Sequence, residues 1–584
     1  MLHVSALKAA TTLRQFAALL KFKAAWLTYL LYVQPEASKY KKFDISKRSG
    51  GTRQICATQG DLKLLQRRLS DYLQDCVSEI NKESGRDDAG PNPDRIAHGF
   101  KRKRSIATNA REHRNRRYVF NADLTDFFGS INFGRVRGFF ISDKHFQLHP
   151  VVATLIAQIS CFENSLPQGS PCSPVVSNLV GHILDIHLVK LSGQLGVTYT
   201  RYADDLTFST NDRSFPSGIA MPVHGAEHKW EAGAALTQIV KQSGFSLNAA
   251  KSRMQYSNSR QEVTGLVVNK KVNVRIEYRR TIRAMVHRLF TTGDFHFETT
   301  QIDAAGVEVV VKTLGFPAQL GGMLAFIDQI DLLNRCNQNQ AKSSAVTKKE
   351  EMYRRFLLFD RFYRSPAPLL VCEGKTDNVY LTHAIRSLAA KYSQLANITP
   401  SGKIELKIRR FRYTGKTTNR ILGVNGGTGD LGHLIRLYRA EVERFGAPGM
   451  QSPIIVLIDN DDGAPGIYNT INQITHKKPT GLEEHIHVTK NLYVVSTPPK
   501  AGSTESCIED CFDSKVTGTI INGKKFTSKN KFDATTEYGK SDFAYRVVQP
   551  TADKIDFSGF IPLLDRLVGV IHEHAKKTSA PSAP

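Results

Sequence analysis

Short β-forming runs that end on carboxylates are the feature that most limits how this chain can fold. YVFNAD closes on Asp123, and RYADDLTFS carries Asp204 and Asp205 between two such runs. Much further along, LLVCEG reaches Glu373 and PIIVLIDND reaches Asp459, Asp461 and Asp462. Acidic side chains gathered at strand ends repel one another unless a cation neutralises them. The pattern therefore predicts metal sites, and the long gap between the two groups predicts two of them on separate domains. A length of 584 residues agrees, since a single hydrophobic core stops growing at about 250 to 300 residues.

Residues 1–39 read as an amphipathic helical segment; its first 33 positions contain no Asp or Glu. Tyr40 to Gln66 reads as strand, Gly50-Gly51 turn, strand and helix. Residues 40–270 form a mixed α+β region, and 271–364 a mostly helical stretch with a polar linker at 340–351. In 365–584 strands alternate with helices, as in Rossmann-like α/β folds, and KKTSAPSAP reads as a frayed tail. The longest uninterrupted apolar stretch, Ala24 to Val33, falls well short of the roughly 20 residues of a spanning helix. No membrane segment is expected, and the cytoplasm is the expected compartment. The cysteines are scattered with no paired CxxC motifs, so they read as reduced thiols without structural zinc; Cys507 and Cys511 read as packing residues.

Lys and Arg total 79 against 54 Asp and Glu, a net charge of +25. Such an excess points to a polyanionic partner, nucleic acid first, with anionic lipid or a generically basic surface as alternatives. The stretch 101–120, which includes Lys101, Arg102, Lys103 and Arg104, is dense in basic residues and suits the phosphates of structured RNA.

Adding a nucleotide to a growing strand needs two divalent cations about 3.5 to 4 Å apart, bridged by carboxylates. One activates the primer hydroxyl and the other holds the triphosphate. Asp123, Asp204 and Asp205 supply such a set if the Asp204-Asp205 pair lies at the tip of a hairpin. An Asp-Asp pair alone usually marks a solvated turn; here apolar runs on both sides crowd the acids together.

YADD at 202–205, DLTDFF at 123–128 and LPQGSPCSPVVSNL at 166–179 resemble the palm motifs of reverse transcriptases. The resemblance implies a right-hand polymerase of fingers, palm and thumb acting on deoxynucleoside triphosphates. Asp123 and Asp204 would bind both Mg²⁺ ions, with Asp205 completing the cluster. The same resemblance implies that Phe128 excludes a ribose 2′-hydroxyl, that Gln168 and Gly169 form a loop over the incoming nucleotide, and that Lys47 and Arg53 face the triphosphate. Core packing for Phe128 and a plain turn at Pro-Gln-Gly-Ser stand beside these readings. If 127 and 128 lie on a strand, only one of the two phenylalanines lines the nucleotide pocket.

Asn109-Ala110-xx-His113 and Val263-Thr264-Gly265 resemble the NAxxH and VTG signatures of bacterial retron reverse transcriptases, and AHGF at 97–100 extends the match. The resemblance implies a partner noncoding RNA, primed from the 2′-hydroxyl of an internal guanosine and copied into a branched RNA–DNA hybrid (msDNA). It also implies RNA contacts at Asn109, His113, Val263, Thr264 and Gly265. A surface histidine in a basic helix and an ordinary strand end are the alternatives for these segments, and a group II intron-like maturase is the competing family.

Glu373 in VCEGKTD and Asp459-x-Asp461 in LIDNDDG resemble the acidic pattern of TOPRIM domains. That resemblance implies Mg²⁺ held by Glu373, Asp459 and Asp461, with Glu373 as general acid or base. It further implies a nuclease effector in antiphage defence, restrained by the nucleic-acid product; the alternatives are a solvated loop or a domain that only scaffolds that product. Gly427-x-Gly429-xx-Gly432 reads as a glycine loop of this fold, since no acidic partner follows to bind a dinucleotide ribose. Glu509 and Asp510 either add ligands or decorate a helix, and a homo-oligomer formed with msDNA is a further expectation.

Overall fold

The computed structural model describes residues 2–46, 51–87, 90, 93–226, 228–302, 308–336, 346–499, 502–503, 505–529 and 531–579. The chain divides into two compact units, Met1–Ile276 with Ile330–Asn339, and Glu277–Gln329 with Gln340–Pro584.

In the first unit, short helices occupy Leu2–Ala9, Leu13–Leu19, Ala24–Thr28 and Glu36–Lys39. An antiparallel hairpin follows, β1 (Tyr40–Ser46) and β2 (Thr52–Thr58), with Tyr40 opposite Thr58. Helix α1 (Gly60–Glu83) buries Leu62, Leu65, Leu69, Leu73 and Cys76, a stripe spaced by three or four residues. After α2 (Ile106–Glu112), β3 (Tyr118–Asp123), α3 (Phe133–Ser142), α4 (Pro150–Ser160) and α5 (Ser173–Gln194), the chain forms β4 (Thr198–Tyr202) and β5 (Asp205–Thr210). A small hairpin, β6 (Ala220–Pro222) and β7 (Trp230–Ala232), precedes α6 (Ala234–Gln242), β8 (Arg253–Tyr256), β9 (Glu262–Val263) and β10 (Leu266–Val267).

The centre of this unit is a four-stranded antiparallel sheet in the order β4-β5-β3-β8. Its strands are rich in β-branched and aromatic residues. Val119, Phe120, Leu206 and Phe208 are wholly buried in it, each such side chain contributing about 1.5 to 3 kcal/mol of transfer free energy. Helix α5 packs its Val176, Val180, Leu184 and Leu188 into the same core, while Ile183, Ile186 and Val189 are exposed.

The second unit opens with α7 (Ile276–Thr292). The stretch expected to be mostly helical then contains an antiparallel hairpin, β11 (His296–Ile302) and β12 (Glu308–Leu314), with His296 opposite Leu314. Thr299, Thr300 and Val309 to Val311 explain the difference: β-branched side chains favour the extended chain. Helix α8 (Pro317–Cys336), across which the division between units passes, and α9 (Lys348–Leu358) follow.

Next come β13 (Leu369–Cys372), α10 (Asp377–Ser387), the hairpin β14 (Ala396–Ile398) and β15 (Ile404–Leu406), and β16 (Arg409–Arg410). Then follow α11 (Thr428–Val442), β17 (Ile454–Ile458), α12 (Ala464–Thr475), β18 (Ile486–Thr489) and β19 (Leu492–Ser496). Five strands form one sheet in the order β16-β13-β17-β19-β18, parallel except for β18 at the edge. Every residue of β13, β17 and β19 is buried, as expected of parallel strands covered on both faces. Cys372 pairs with Leu457, so the chain leaves β13 and β17 side by side.

Candidate active sites

In the first unit, Asp123 ends β3 directly opposite Asp205, and Tyr202 pairs with Asp205 across β4 and β5. Ala203 and Asp204 are therefore the two residues of the turn. Ala203 adopts φ 57°, the left-handed value that a tight hairpin turn demands. The Asp204 carbonyl accepts a hydrogen bond from Leu124 N at 3.0 Å, which ties the turn to the end of β3.

The three carboxylates thus share one end of the sheet, and their acidities register the crowding. Desolvation and the Asp123 charge hold Asp204 above the ordinary carboxylate range, while Lys251 and Arg53 pull it down. Desolvation, then Asp204 and Asp123, push Asp205 up to about 6. Lys251 Nζ lies 2.9 and 3.0 Å from the two carboxylate oxygens of Asp123. Among the described residues no three His, Cys, Asp or Glu side chains already close around a metal position; Asp123 is turned onto Lys251. The donor set, three mutually repelling carboxylates, suits a hard divalent cation such as Mg²⁺ once Asp123 exchanges its lysine for the metal.

The Gln168 carbonyl accepts from Cys56 N at 2.7 Å, and Ser170 Oγ donates to Gln66 Oε1 at 2.8 Å. The loop is thereby pinned between β2 and α1. At Gly169 φ is 111°, and a Cβ would come within 2.8 Å of Ile55 Cγ2, so its close backbone approach is made to β2. Arg53 is exposed on β2, and its charge acts on Asp204; Lys47 lies outside the described residues. Residues 125–130 form successive turns, not a strand. The two phenylalanines still diverge: Phe127 is buried against Phe245, while Phe128 is half-buried with its ring centroid 5.9 Å from that of Phe100.

The two retron-like signatures meet within this unit. Thr264 and Gly265 form the turn between β9 and β10, and Thr264 Oγ1 donates to the Ile106 carbonyl at 3.1 Å, at the start of α2. His113 caps the other end of α2, its ring nitrogens each 2.7 Å from Ser209 Oγ and Thr200 Oγ1. Burial lowers its pKa to about 3, so the ring is neutral. A neutral, buried ring cannot reach a phosphate. His113 therefore braces β4 and β5, and Asn109 and Val263 are equally buried, where the resemblance implied RNA contacts. The basic run is also partly committed to the protein: Lys101 pairs with Asp94, Arg104 donates to the Asp94 carbonyl at 2.7 Å, and Arg102 pairs with Asp75. Lys103 is exposed.

Sequence reasoning missed Arg201, Asp185 and Asn178, which lie beneath the Ala203-Asp204 turn. It also gave no role to the AHGF strap. His98 N donates to the Arg201 carbonyl at 2.9 Å and Arg201 N to the Ile96 carbonyl at 2.8 Å, while a Cβ at Gly99 would come within 2.5 Å of Ala203 N.

In the second unit, Glu373 and Asp459 follow β13 and β17. Glu373 N donates to the Leu457 carbonyl at 3.0 Å and Asp459 N to Glu373 Oε2 at 3.3 Å. The glycine loop supports Glu373 from below: Gly427 N donates to its carbonyl at 3.0 Å. Asp459 Oδ1 accepts from Ile508 N at 2.9 Å. Asp461 and Asp462 are exposed, and Asp461 Oδ1 accepts from Gly463 N at 2.9 Å, capping the turn into α12.

Three further groups complete this cluster. Asp377 is buried, and its Oδ2 accepts from Gly374 N at 2.7 Å. Glu509 is buried 3.0 Å from Lys540 Nζ, which stands 3.7 Å from Asp459. Asp510 instead accepts from Cys507 N at 2.8 Å, a local cap. Desolvation, then Asp459, push Glu373 up to about 7, and desolvation holds Asp377 and Asp459 at about 6. Glu509 is raised by the same cause. Burial would lower the Lys540 pKa, but Glu509 and Asp459 raise it. Asp377 was visible in VCEGKTD; Lys540 lies in a segment with no periodic signal.

Residues 45–274, which lie within the first unit, match a family model described as reverse transcriptase (RNA-dependent DNA polymerase). The chain is 36% identical to the Retron Mx65 reverse transcriptase of Myxococcus xanthus over 292 residues, 47% of this chain and 61% of the relative. It is 34% identical to the Retron Ec86 reverse transcriptase of Escherichia coli over 193 residues, 33% of this chain and 55% of the relative. The Retron Mx162 reverse transcriptase of Myxococcus xanthus is 32% identical over 268 residues, 42% of this chain and 50% of the relative. The chain spans between 50% and 61% of the length of these retron relatives. Among solved structures, the telomerase of Candida albicans with a fragment of telomeric RNA aligns with 77% of this chain and 66% of its own, at 10% identity and a TM-score of 0.29. That similarity is too slight to bear on fold or activity.

Proposed function

We propose that the first unit is an RNA-directed DNA polymerase that copies a partner noncoding RNA into msDNA in the cytoplasm. The observation that carries this reading is the pairing of Asp123 with Asp205 across β3 and β5, with Asp204 in the adjoining turn. Mg²⁺ held by these carboxylates would supply the activated primer hydroxyl and the neutralised triphosphate. The protein's own side chains orient the reactants: Arg53 toward the triphosphate, Phe128 against a ribose 2′-hydroxyl, and the pinned Gln168-Gly169 loop over the nucleotide. Lys103, Thr264 and Gly265 remain surface candidates for the RNA, and residues 271–364 would serve as thumb and linker. The retron relatives support the RNA partner.

The second unit is read as a TOPRIM-type, Mg²⁺-dependent nuclease effector in antiphage defence. Its support is the Glu373, Asp377, Asp459 and Glu509 cluster beside parallel strand ends. A carboxyl near 7, such as Glu373, is poised to give or take a proton at neutral pH.

The deciding experiment is primer extension on an RNA template with Mg²⁺ and deoxynucleotides. Asp204→Asn should abolish synthesis while the fold persists, and retained extension would overturn the polymerase reading. Glu373→Ala should leave synthesis intact and remove cleavage or toxicity. Unchanged toxicity would return the second unit to a scaffolding role.

A further inference from the structure

The turn that carries Asp204 rests on a buried ionic network. Arg201, on β4, has no exposed surface. Its Nε and Nη2 donate to Oδ1 and Oδ2 of Asp185, on α5, at 2.8 and 2.7 Å. Its Nη1 donates to Asn178 Oδ1 at 3.1 Å and to the Ala203 carbonyl at 3.2 Å. The Tyr199 hydroxyl adds a bond to Asp185 Oδ1 at 2.9 Å, and Asn178 Nδ2 donates to the Gly99 carbonyl at 2.6 Å. Gly181 leaves room for the guanidinium, whose Cζ would lie 3.1 Å from a Cβ there.

A buried ion pair is a poor route to stability, because desolvating both charges offsets their attraction, and apolar residues of similar volume are often as good or better. What leucine and methionine could not provide is a directed hydrogen bond to the Ala203 carbonyl. That carbonyl belongs to the peptide joining Ala203 to Asp204, next to a residue at φ 57°. Anchoring it stops the peptide from rotating and fixes the direction in which the Asp204 side chain leaves the backbone.

We propose that Arg201 is a positioning residue, held by Asp185 and Asn178, that locks the Ala203-Asp204 peptide so that Asp204 faces the metals. The inference rests on the polymerase reading of that turn. The test uses the full chain, an RNA template with primer, and titrations of Mg²⁺ and deoxynucleotide on three variants: Arg201→Lys, Asn178→Ala, and the double variant Arg201→Met with Asp185→Leu. The two single variants should lower kcat on the order of 10- to 100-fold and raise the Mg²⁺ needed for half-maximal rate, leaving the deoxynucleotide KM unchanged. The double variant should match wild type in thermal midpoint yet remain slow. A double variant that regained both stability and rate, or an Arg201→Lys enzyme with wild-type kcat and Mg²⁺ dependence, would overturn the proposal. Should the double variant fail to fold, an unaltered kcat in Asn178→Ala would overturn it alone. Wild-type protein that made no DNA would instead remove the polymerase reading beneath it.

Discussion

The two acidic clusters gather their charge in different ways. In the first unit the carboxylates meet across an antiparallel hairpin, two of them adjacent in sequence, and the nearby ammonium belongs to Lys251, whose side chain is 57% exposed. In the second unit the acids arrive from three stretches of chain, around residues 373–377, 459 and 509, and Lys540 sits among them with its side chain 29% exposed. An exposed lysine can swing away at little cost and cede its place to a metal. One enclosed by several carboxylates is part of the packing, and removing it leaves buried charge without a partner.

Lys540→Met should give the largest effect, a loss of about 3 kcal/mol from the second unit at neutral pH without divalent cation, since an uncompensated buried carboxylate remains. Thermal or urea unfolding would measure it, and a loss below about 1 kcal/mol would erase the contrast between the two sites.

A pH titration sharpens the same point. Glu373, Asp377 and Asp459 have folded pKa values raised to about 7, 6 and 6. The folded state therefore binds protons more tightly than the unfolded chain, and the stability this gives is present below about pH 4 and lost as pH rises toward 7. Each of the three groups should weaken the metal-free second unit by on the order of 2 kcal/mol over that range. Mg²⁺ should restore it at pH 7 and do little at pH 4; stability that rises across the window would contradict the cluster's acidities.

In the first unit, Phe128→Ala should lessen discrimination against ribonucleotides by on the order of tenfold, read as the ratio of kcat/KM for the two sugars; an unaltered ratio would return Phe128 to packing. The smallest effect is expected of Lys251→Met, within about 1 kcal/mol of wild type in stability. A larger loss would make the two lysines equivalent.

How much the sequence reveals differs between the sites for the same reason. The DLTDFF and YADD motifs are contiguous and end strands whose apolar runs are readable, so their convergence could be inferred. Asp185 is a single acid in an apolar helix and Arg201 a single base before a turn; only the packing of α5 on β4 brings them together. His113 shows the opposite failure, since a signature records that a side chain matters without recording which way it faces. In the second unit, strand ends marked Glu373 and Asp459, and ESCIEDCF left Glu509 and Asp510 open between ligands and helix decoration; tertiary contacts decide between them, and they alone place Lys540. The β11–β12 hairpin was hidden because a short β-branched run between helices carries little periodic signal of its own.

The strap at residues 96–99 has a further consequence for solubility. β4 is the last strand of its sheet, and an uncovered border of this kind offers its peptide groups to any passing chain. The reciprocal bonds between Ile96, His98 and Arg201 occupy that border. A His98→Pro chain, which loses the donor to the Arg201 carbonyl, would open part of that border, and self-association by strand addition, read by light scattering, should follow.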